Sequence, residues 1–195
     1  MTLSGLPWPR RTDRCVVRPV RDDADVDAMW AYWGRPEVVH WTGGGDEDLD
    51  AHRERLSDPE KRARRLVVEH GGAVVGDLVL FPRDGWGQRP VREQAAGTEA
   101  EIGWAFDPAY AGRGLATETV PVLIDACLSP APDGLGLRRV IASCFADNVP
   151  SYRLMERVGM RREAHHRRDS LHAELGWLDG LVYAVLADEW RRRPQ

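Results

Sequence analysis

Between Asp22 and Trp33 the apolar side chains Val26, Met29, Trp30 and Trp33 recur at helical spacing, while Asp23, Asp25 and Asp27 fall mostly on the other side. This periodicity predicts an amphipathic helix, and acidic residues in its first turn suit the positive end of the helix dipole. Gly34 and Pro36 end it. Elsewhere the pattern shortens to strand-like runs, the first at Cys15–Val20. Arg65–Glu69 and Ala73–Phe81 flank His70-Gly71-Gly72 and predict a hairpin. Glu99–Phe106 and Arg139–Phe145 predict two more strands, the latter buried. Arg161–Ser170 and Leu181–Leu186 predict the last pair, joined through Gly176 and Trp177.

Further helices are predicted at Asp46–Leu56, from about Arg113 to Leu128, at Val149–Val158 with Gly159 as C-cap, and at Ala187–Arg193. Pro121 is awkward inside the third of these and predicts a kink or a later start. Residues 1–13 read as a flexible, Pro-containing arm, 38–45 as a loop, and 82–98, rich in Gly, Pro, Arg and Gln, as a mobile loop. The remaining chain, 14–195, then forms one domain. Its element order, β α α β β β α β α β β, predicts an α/β fold with a mixed sheet.

Composition narrows the function. The 195 residues are 43% hydrophobic and 30% charged, as in ordinary globular proteins. A net charge of −4 offers nucleic acid or an anionic membrane no general attraction. No apolar run reaches the ~18 residues of a membrane span, and the first residues lack the apolar core of a signal peptide. Cys15, Cys127 and Cys144 are odd in number and far apart, which predicts free thiols, a reducing cytoplasmic location and no zinc site. Cys127 and Cys144 read as inert core thiols, and Trp30, Trp33 and Trp177 as core. His165, His166 and His172 lack the partners of a metal site.

Two segments carry chemistry. In Gly112-Arg113-Gly114-Leu115-Ala116 glycines open a helix whose unpaired N–H groups suit a phosphate, although the same spacing also fits a plain tight turn. In Asn148-Val149-Pro150-Ser151 the two polar residues either cap a helix or reach an extended ligand beside the glycine turn.

Taken together, Asp107–Glu118 and Asp147–Met160 resemble the GNAT N-acetyltransferases. Val17–Asp25, Arg35–Trp41 and Gly176–Trp190 resemble the branch that holds the ribosomal-protein N-terminal acetyltransferases. The resemblance spans about residues 14–190. It implies a single-domain fold around a mixed, mostly antiparallel sheet of six or seven strands, splayed between the fourth and fifth. It implies transfer of an acetyl group from acetyl-CoA to a primary amine, on a small molecule or a protein, by direct attack and without a metal, in a monomer or homodimer. A non-catalytic acyl-CoA or small-ligand binding module is the alternative. By the same resemblance, the pyrophosphate would sit on the N–H groups of Gly112, Arg113, Gly114, Leu115, Ala116 and Thr117. The pantetheine arm would lie along Trp104, Ala105 and Phe106 and bond Asn148, and Arg113 or Arg157 would meet the 3′-phosphate. Ala109 and Ala111 stand where the family usually has a longer polar side chain. Glu101 is the implied general base, its bland counterpart being a solvent-facing strand residue. A backbone N–H near Ala105 is the implied oxyanion donor. Met155 stands where many relatives carry a tyrosine acid, so Ser151 takes that role, with Tyr152 as fallback. Trp41 and Trp104 are the expected acceptor-pocket walls.

Overall fold

The computed structural model of the chain describes residues 2–193. Met1, Pro194 and Gln195, the outermost residues of the expected arm and domain, lie outside the described residues. Among the described residues the strands are β1 (Arg10–Arg11), β2 (Cys15–Pro19), β3 (Arg65–His70), β4 (Ala73–Arg83), β5 (Glu99–Phe106), β6 (Arg139–Phe145), β7 (Arg161–His172) and β8 (Gly176–Leu186). The helices are α1 (Asp23–Trp33), α2 (Pro36–Val39), α3 (Leu49–Ser57), α4 (Pro59–Ala63), α5 (Arg92–Ala95), α6 (Leu115–Leu128), α7 (Val149–Arg157) and α8 (Ala187–Arg191). No helix among them is long and apolar enough to cross a membrane.

All strands join one sheet in the order β1-β2-β3-β4-β5-β6-β8-β7. Neighbours are antiparallel except β5 and β6, which α6 connects as a parallel crossover. That parallel ladder covers only Glu99–Glu101 against Arg139–Ile141 and then stops. The splay therefore lies between the fourth and fifth long strands, which are fifth and sixth once β1 is counted.

Strand alternation divides the core between two faces. Leu66, Leu78, Leu80, Ala100 and Ile102 face Leu123 and Ile124 of α6 and Leu154 and Met155 of α7. Val67 and Ala105 face Val26, Met29 and Tyr32 of α1 and Leu56 of α3. Each large aliphatic side chain so buried contributes roughly 1.5–3 kcal/mol.

Several expectations give way to tertiary contacts. The N-terminal segment expected to be a flexible arm is packed. Leu3 is fully buried in the larger core, its N–H donates to the Ala63 carbonyl at 2.9 Å, and Trp8 Nε1 donates to the Leu3 carbonyl at 2.7 Å. Arg10 pairs with Asp125 at 2.9 Å. A single anchoring leucine among prolines has no periodicity to reveal it. Asp25, read as surface, is buried because Arg18 binds both its oxygens at 2.6 and 2.7 Å. The second helix starts at Leu49, not Asp46. Asp48 caps it by accepting from Ala51 N–H at 2.9 Å, and Asp46 is drawn off to His52 and Arg55. Residues 38–45 begin with the end of α2. The 82–98 segment contains α5 and is closed by Gly85 N–H donating to the Ala95 carbonyl at 2.8 Å. Trp177 lies on the outside of the β7–β8 hairpin and is 59% exposed, not core. Helix α6 runs through Pro121 without a break.

Candidate active site

Where β5 and β6 part, a cleft of about 1240 Å³ crosses the molecule. Trp41, Glu101, Trp104, Ala105, Phe106, Gly112, Leu115, Ala116, Thr117, Asn148, Ser151 and Arg157 all line it, as does Gly114. One void thus gathers nearly every residue expected at the site. Arg113 and the fallback acid Tyr152 are the exceptions: the Arg113 guanidinium lies 5.0 Å from the centre of the Tyr110 ring, and Tyr152 packs against the larger core, both outside the cleft lining.

The glycine turn owes its shape to backbone dihedrals. Gly112 and Gly114 have φ of +74° and +77°, in the left-handed region that side chains disfavour. Asp107 Oδ1 accepts from Ala109 N–H at 3.0 Å and sets the preceding turn. Gly114 then occupies the N-cap of α6, and no side chain caps it. The first-turn N–H groups have no helical partner by geometry, so they remain available to an anion at the positive end of the helix.

Charge around this turn comes partly from a residue that sequence reasoning missed. Glu118, in the first turn of α6, would repel an anion if left alone. Arg14 neutralises it: its Nε donates to Glu118 Oε2 at 2.7 Å and its N–H to Oε1 at 2.8 Å, while Thr12 Oγ1 donates to Oε1 at 2.5 Å. Burial pushes the Glu118 carboxyl up, but the bonds from Thr12 and Arg14 outweigh it and hold the pKa below its ordinary value. Arg14 Nη1 also donates to the Arg113 carbonyl at 2.7 Å, fixing the turn from outside. Arg157 Nη1 stands 3.3 Å from Thr117 Oγ1. An acid in the first turn of an anion-binding helix signals that a counter-cation is needed; nothing in the sequence says that it comes from the N-terminal segment.

Asn148 performs the capping role and leaves the ligand role open. Its Oδ1 accepts from Ser151 N–H at 3.2 Å, which leaves the amide NH₂ as its free end. The Cys144 thiol lines the cleft and is not the core group expected. Burial pushes it up to about 11, opposed by a hydrogen bond with Ser151. Cys127 is buried as expected. Met155 is in the core and Tyr152 packs half-buried against it.

The backbone of β5 narrows which N–H near Ala105 is free to act as the expected oxyanion donor. Asp107 N–H donates to the Val75 carbonyl at 2.9 Å. By antiparallel alternation, Ala105 also spends its N–H on β4, opposite Asp77. The N–H groups of Trp104 and Phe106 point the other way, into the unpaired stretch beside β6. The Trp104 ring faces the α6 side with Phe106, packed against the larger core.

On the opposite face, Glu101 is tied to Arg83, whose Nη1 lies 2.5 Å from Oε2. Deeper in lies a buried polar cluster, of which Trp33, Arg65 and Asp77 line the same cleft. Tyr32 OH and Trp33 Nε1 donate to Asp77 Oδ1 at 2.9 and 2.7 Å, and Arg65 Nη1 donates to Oδ2. Glu37 also lines the cleft and makes no ion pair among the described residues. Trp41 is held by an aromatic group with His40, Phe145 and His172. His172 Nε2 donates to the His40 carbonyl at 2.7 Å, and its Nδ1 accepts from Glu174 N–H at 3.1 Å. His165 bonds Asp179 at 2.8 Å instead. Among the described residues no group of three or more His, Cys, Asp or Glu is placed to hold a metal ion.

Residues 14–161 match the acetyltransferase (GNAT) domain family. An uncharacterised N-acetyltransferase of Bacillus subtilis, YnaD, is 37% identical over 182 residues, which cover 92% of this chain and 97% of that protein. A GNAT-family acetyltransferase from Bacillus anthracis superposes with a TM-score of 0.76 at 27% identity, covering 93% of this chain and all of that one. RimL, a ribosomal L7/L12 alpha-N-protein acetyltransferase solved with coenzyme A, superposes with a TM-score of 0.72 at 16% identity, covering 91% and 97%. At that identity the likeness is one of fold.

Proposed function

Because the chain belongs to the GNAT acetyltransferase family, we propose that it transfers the acetyl group of acetyl-CoA to a primary amine by direct attack. One observation carries the proposal: a single cleft joins an uncapped, glycine-opened helix N-terminus to the free edge of β5 and on to a carboxylate-bearing face. The bound thioester supplies an activated acetyl carbon. The residues of the chain do the rest. First-turn N–H groups at Gly114–Thr117, with Arg157 and Arg14 nearby, would hold the pyrophosphate and 3′-phosphate. The free backbone groups of Trp104 and Phe106, with the Asn148 amide, would hold the pantetheine arm.

In the transfer step the amine nitrogen bonds the acetyl carbon while the carbon–sulfur bond breaks, so one proton must leave nitrogen and one must reach sulfur. Glu101 would take the first, directly or through a water, since Arg83 engages only its Oε2. Ser151, at the start of α7 beside the Cys144 thiol, would give the second; Tyr152, packed against the core, lies outside the cleft lining. The N–H of Trp104 or Phe106 would meet the developing oxyanion.

Release of free CoA thiol across a panel of primary amines tests this. Wild-type protein should release CoA with at least one amine and bind acetyl-CoA calorimetrically. Glu101→Gln should lower kcat by about 100-fold, the usual scale for a lost general base, with acetyl-CoA affinity retained. Acetyl-CoA binding without turnover of any amine would instead favour a binding module, and no binding at all would refute the proposal.

A further inference from the structure

Three charged side chains line the cleft at its glycine-turn end: Arg14, Glu118 and Arg157, with a summed charge of +1. Glu118 stands in the first turn of α6, where its carboxylate opposes any anion drawn to the N–H groups of that turn. Without Arg14, Glu118 and Arg157 would cancel. The turn would then attract a polyanion through its N–H groups alone. The positive balance of this end of the cleft therefore depends on Arg14.

Arg14 is not free to act as an independent cation. Its Nε and Nη2 both donate to Glu118 Oε2, at 2.7 and 2.6 Å, and its Nη1 donates to the Arg113 carbonyl at 2.7 Å. All three guanidinium nitrogens are thus engaged, and Nη2 lies 3.5 Å from where a side chain on Gly114 would begin. The other Glu118 oxygen accepts from the Arg14 N–H and from Thr12 Oγ1. The segment that carries Arg14 is fastened to the same helix a second time, by Arg10 on Asp125 at 2.9 Å. Glu118 and Asp125 are seven residues apart, about two turns, and so share one face of α6. Leu3, buried in the larger core, holds the far end of the segment. Residues 3–14 therefore lie along α6 and end in a guanidinium fixed on the glycine turn.

We propose that Arg14 is a positioning residue for the phosphates of the coenzyme, acting through Glu118, and that the N-terminal segment is thereby part of the coenzyme site. The proposal rests on the acetyl-CoA reading above and adds a residue to it. Glu118 ties the turn to the N-terminal segment by accepting from Thr12 and Arg14. Arg14 in turn removes the repulsion that this acid would otherwise direct at the phosphates.

The test uses the full chain. It measures acetyl-CoA binding by calorimetry and, with an amine found to be acetylated, KM for acetyl-CoA and for S-acetylpantetheine, a donor without phosphates. Arg14→Met should weaken acetyl-CoA binding by about tenfold, the scale of one partly screened charge beside a diphosphate, and the loss should shrink with added salt. KM for S-acetylpantetheine should not move. Arg14→Met/Glu118→Gln returns the summed charge to +1, and the new amide oxygen can still accept from Thr12 Oγ1 and the residue 14 N–H. This double variant should recover most of the lost affinity. A double variant as weak as the single, or an equal loss with both donors, overturns the proposal while leaving acetyl transfer standing. Should Arg14→Met fail to fold, Glu118→Gln alone decides: it raises the sum to +2 and should tighten acetyl-CoA binding, and unchanged or weaker binding overturns the proposal. Should the wild type bind no acetyl-CoA, the earlier proposal fails, and calorimetry of inorganic pyrophosphate decides this one. Binding that Arg14→Met weakens and the double variant restores supports it; absence of binding to the wild type overturns it.

Discussion

Replacing Asp77 with alanine should be among the most damaging single changes near the cleft. Its carboxylate is fully buried and serves three donors: Tyr32 OH at 2.9 Å, Trp33 Nε1 at 2.7 Å and Arg65 Nη1. The Arg65 guanidinium is itself buried, and its Nε already has no partner. Removing the acid therefore strands a buried charge, which costs about 3–5 kcal/mol. The stranded tyrosine and tryptophan donors cost about 1–3 kcal/mol each when isolated, but groups sharing one partner do not add. About 4 kcal/mol is the expected loss, against a total of roughly 5–15 kcal/mol for such a domain. With a urea m-value of about 2 kcal/mol/M, the unfolding midpoint should fall by about 2 M. Tryptophan fluorescence reads this directly, because Trp33 is in the cluster. The decisive control is Asp77→Ala/Arg65→Met, which removes the stranded charge along with its partner and should recover about 2 kcal/mol or more. A loss below about 1 kcal/mol in the single variant, or no recovery in the double, refutes the reasoning. Surviving single variant should also show a raised acceptor KM, because Tyr32 and Trp33 fix α1 against β4, whose Asp77 stands opposite Ala105 in the ladder.

Two further outcomes follow from the geometry. Gly112→Ala and Gly114→Ala place a side chain at φ of +74° and +77°; each should cost roughly 1–2 kcal/mol and weaken acetyl-CoA binding by calorimetry, whereas unchanged affinity would separate the turn from the phosphates. Stability should also fall in acid in two stages, read as urea midpoints between about pH 8 and pH 3. Burial lowers the His52 pKa from 6.5 despite its bond to Asp46, so the unfolded chain takes up a proton before the native one, and stability declines as pH drops below 6.5. The depressed carboxyls of Asp25, Asp46 and Glu118 are ionised in both states at neutral pH; their contribution is lost only as pH falls through their lowered native values, below 3.8 to 4.5. A flat midpoint between about pH 7 and pH 5 would show that His52 carries no such linkage.

Local order explains which parts of the chain were legible. Asn148 and Ser151 announce a helix start because capping is a contact three residues long, and Asn148 does cap α7. Glu99–Phe106 and Arg139–Phe145 have the predicted bounds because each is an apolar run closed by turn residues. The glycines at 112 and 114 signal positive φ through their lack of a side chain. Leu3, Arg14 and Asp25 were illegible because what fixes them is distant in sequence or opposed to their local pattern. Leu3 meets Ala63, Arg14 meets Glu118, and the helical polar face that should expose Asp25 is overruled by one arginine on β2.

By itself, the sequence determined the order of strands and helices, the glycine-opened turn, and the residues in which chemistry is concentrated. These are properties of backbone dihedrals and short-range periodicity, written in neighbouring residues. Only the tertiary structure decided where β5 and β6 part, which N–H groups of β5 remain free, that Arg14 neutralises Glu118, and that Asp77 and Arg65 are paired beneath the cleft. Most of those features arise from packing between segments far apart in the chain, 104 residues for Arg14 and Glu118, and pairing across such distances leaves no trace in local pattern.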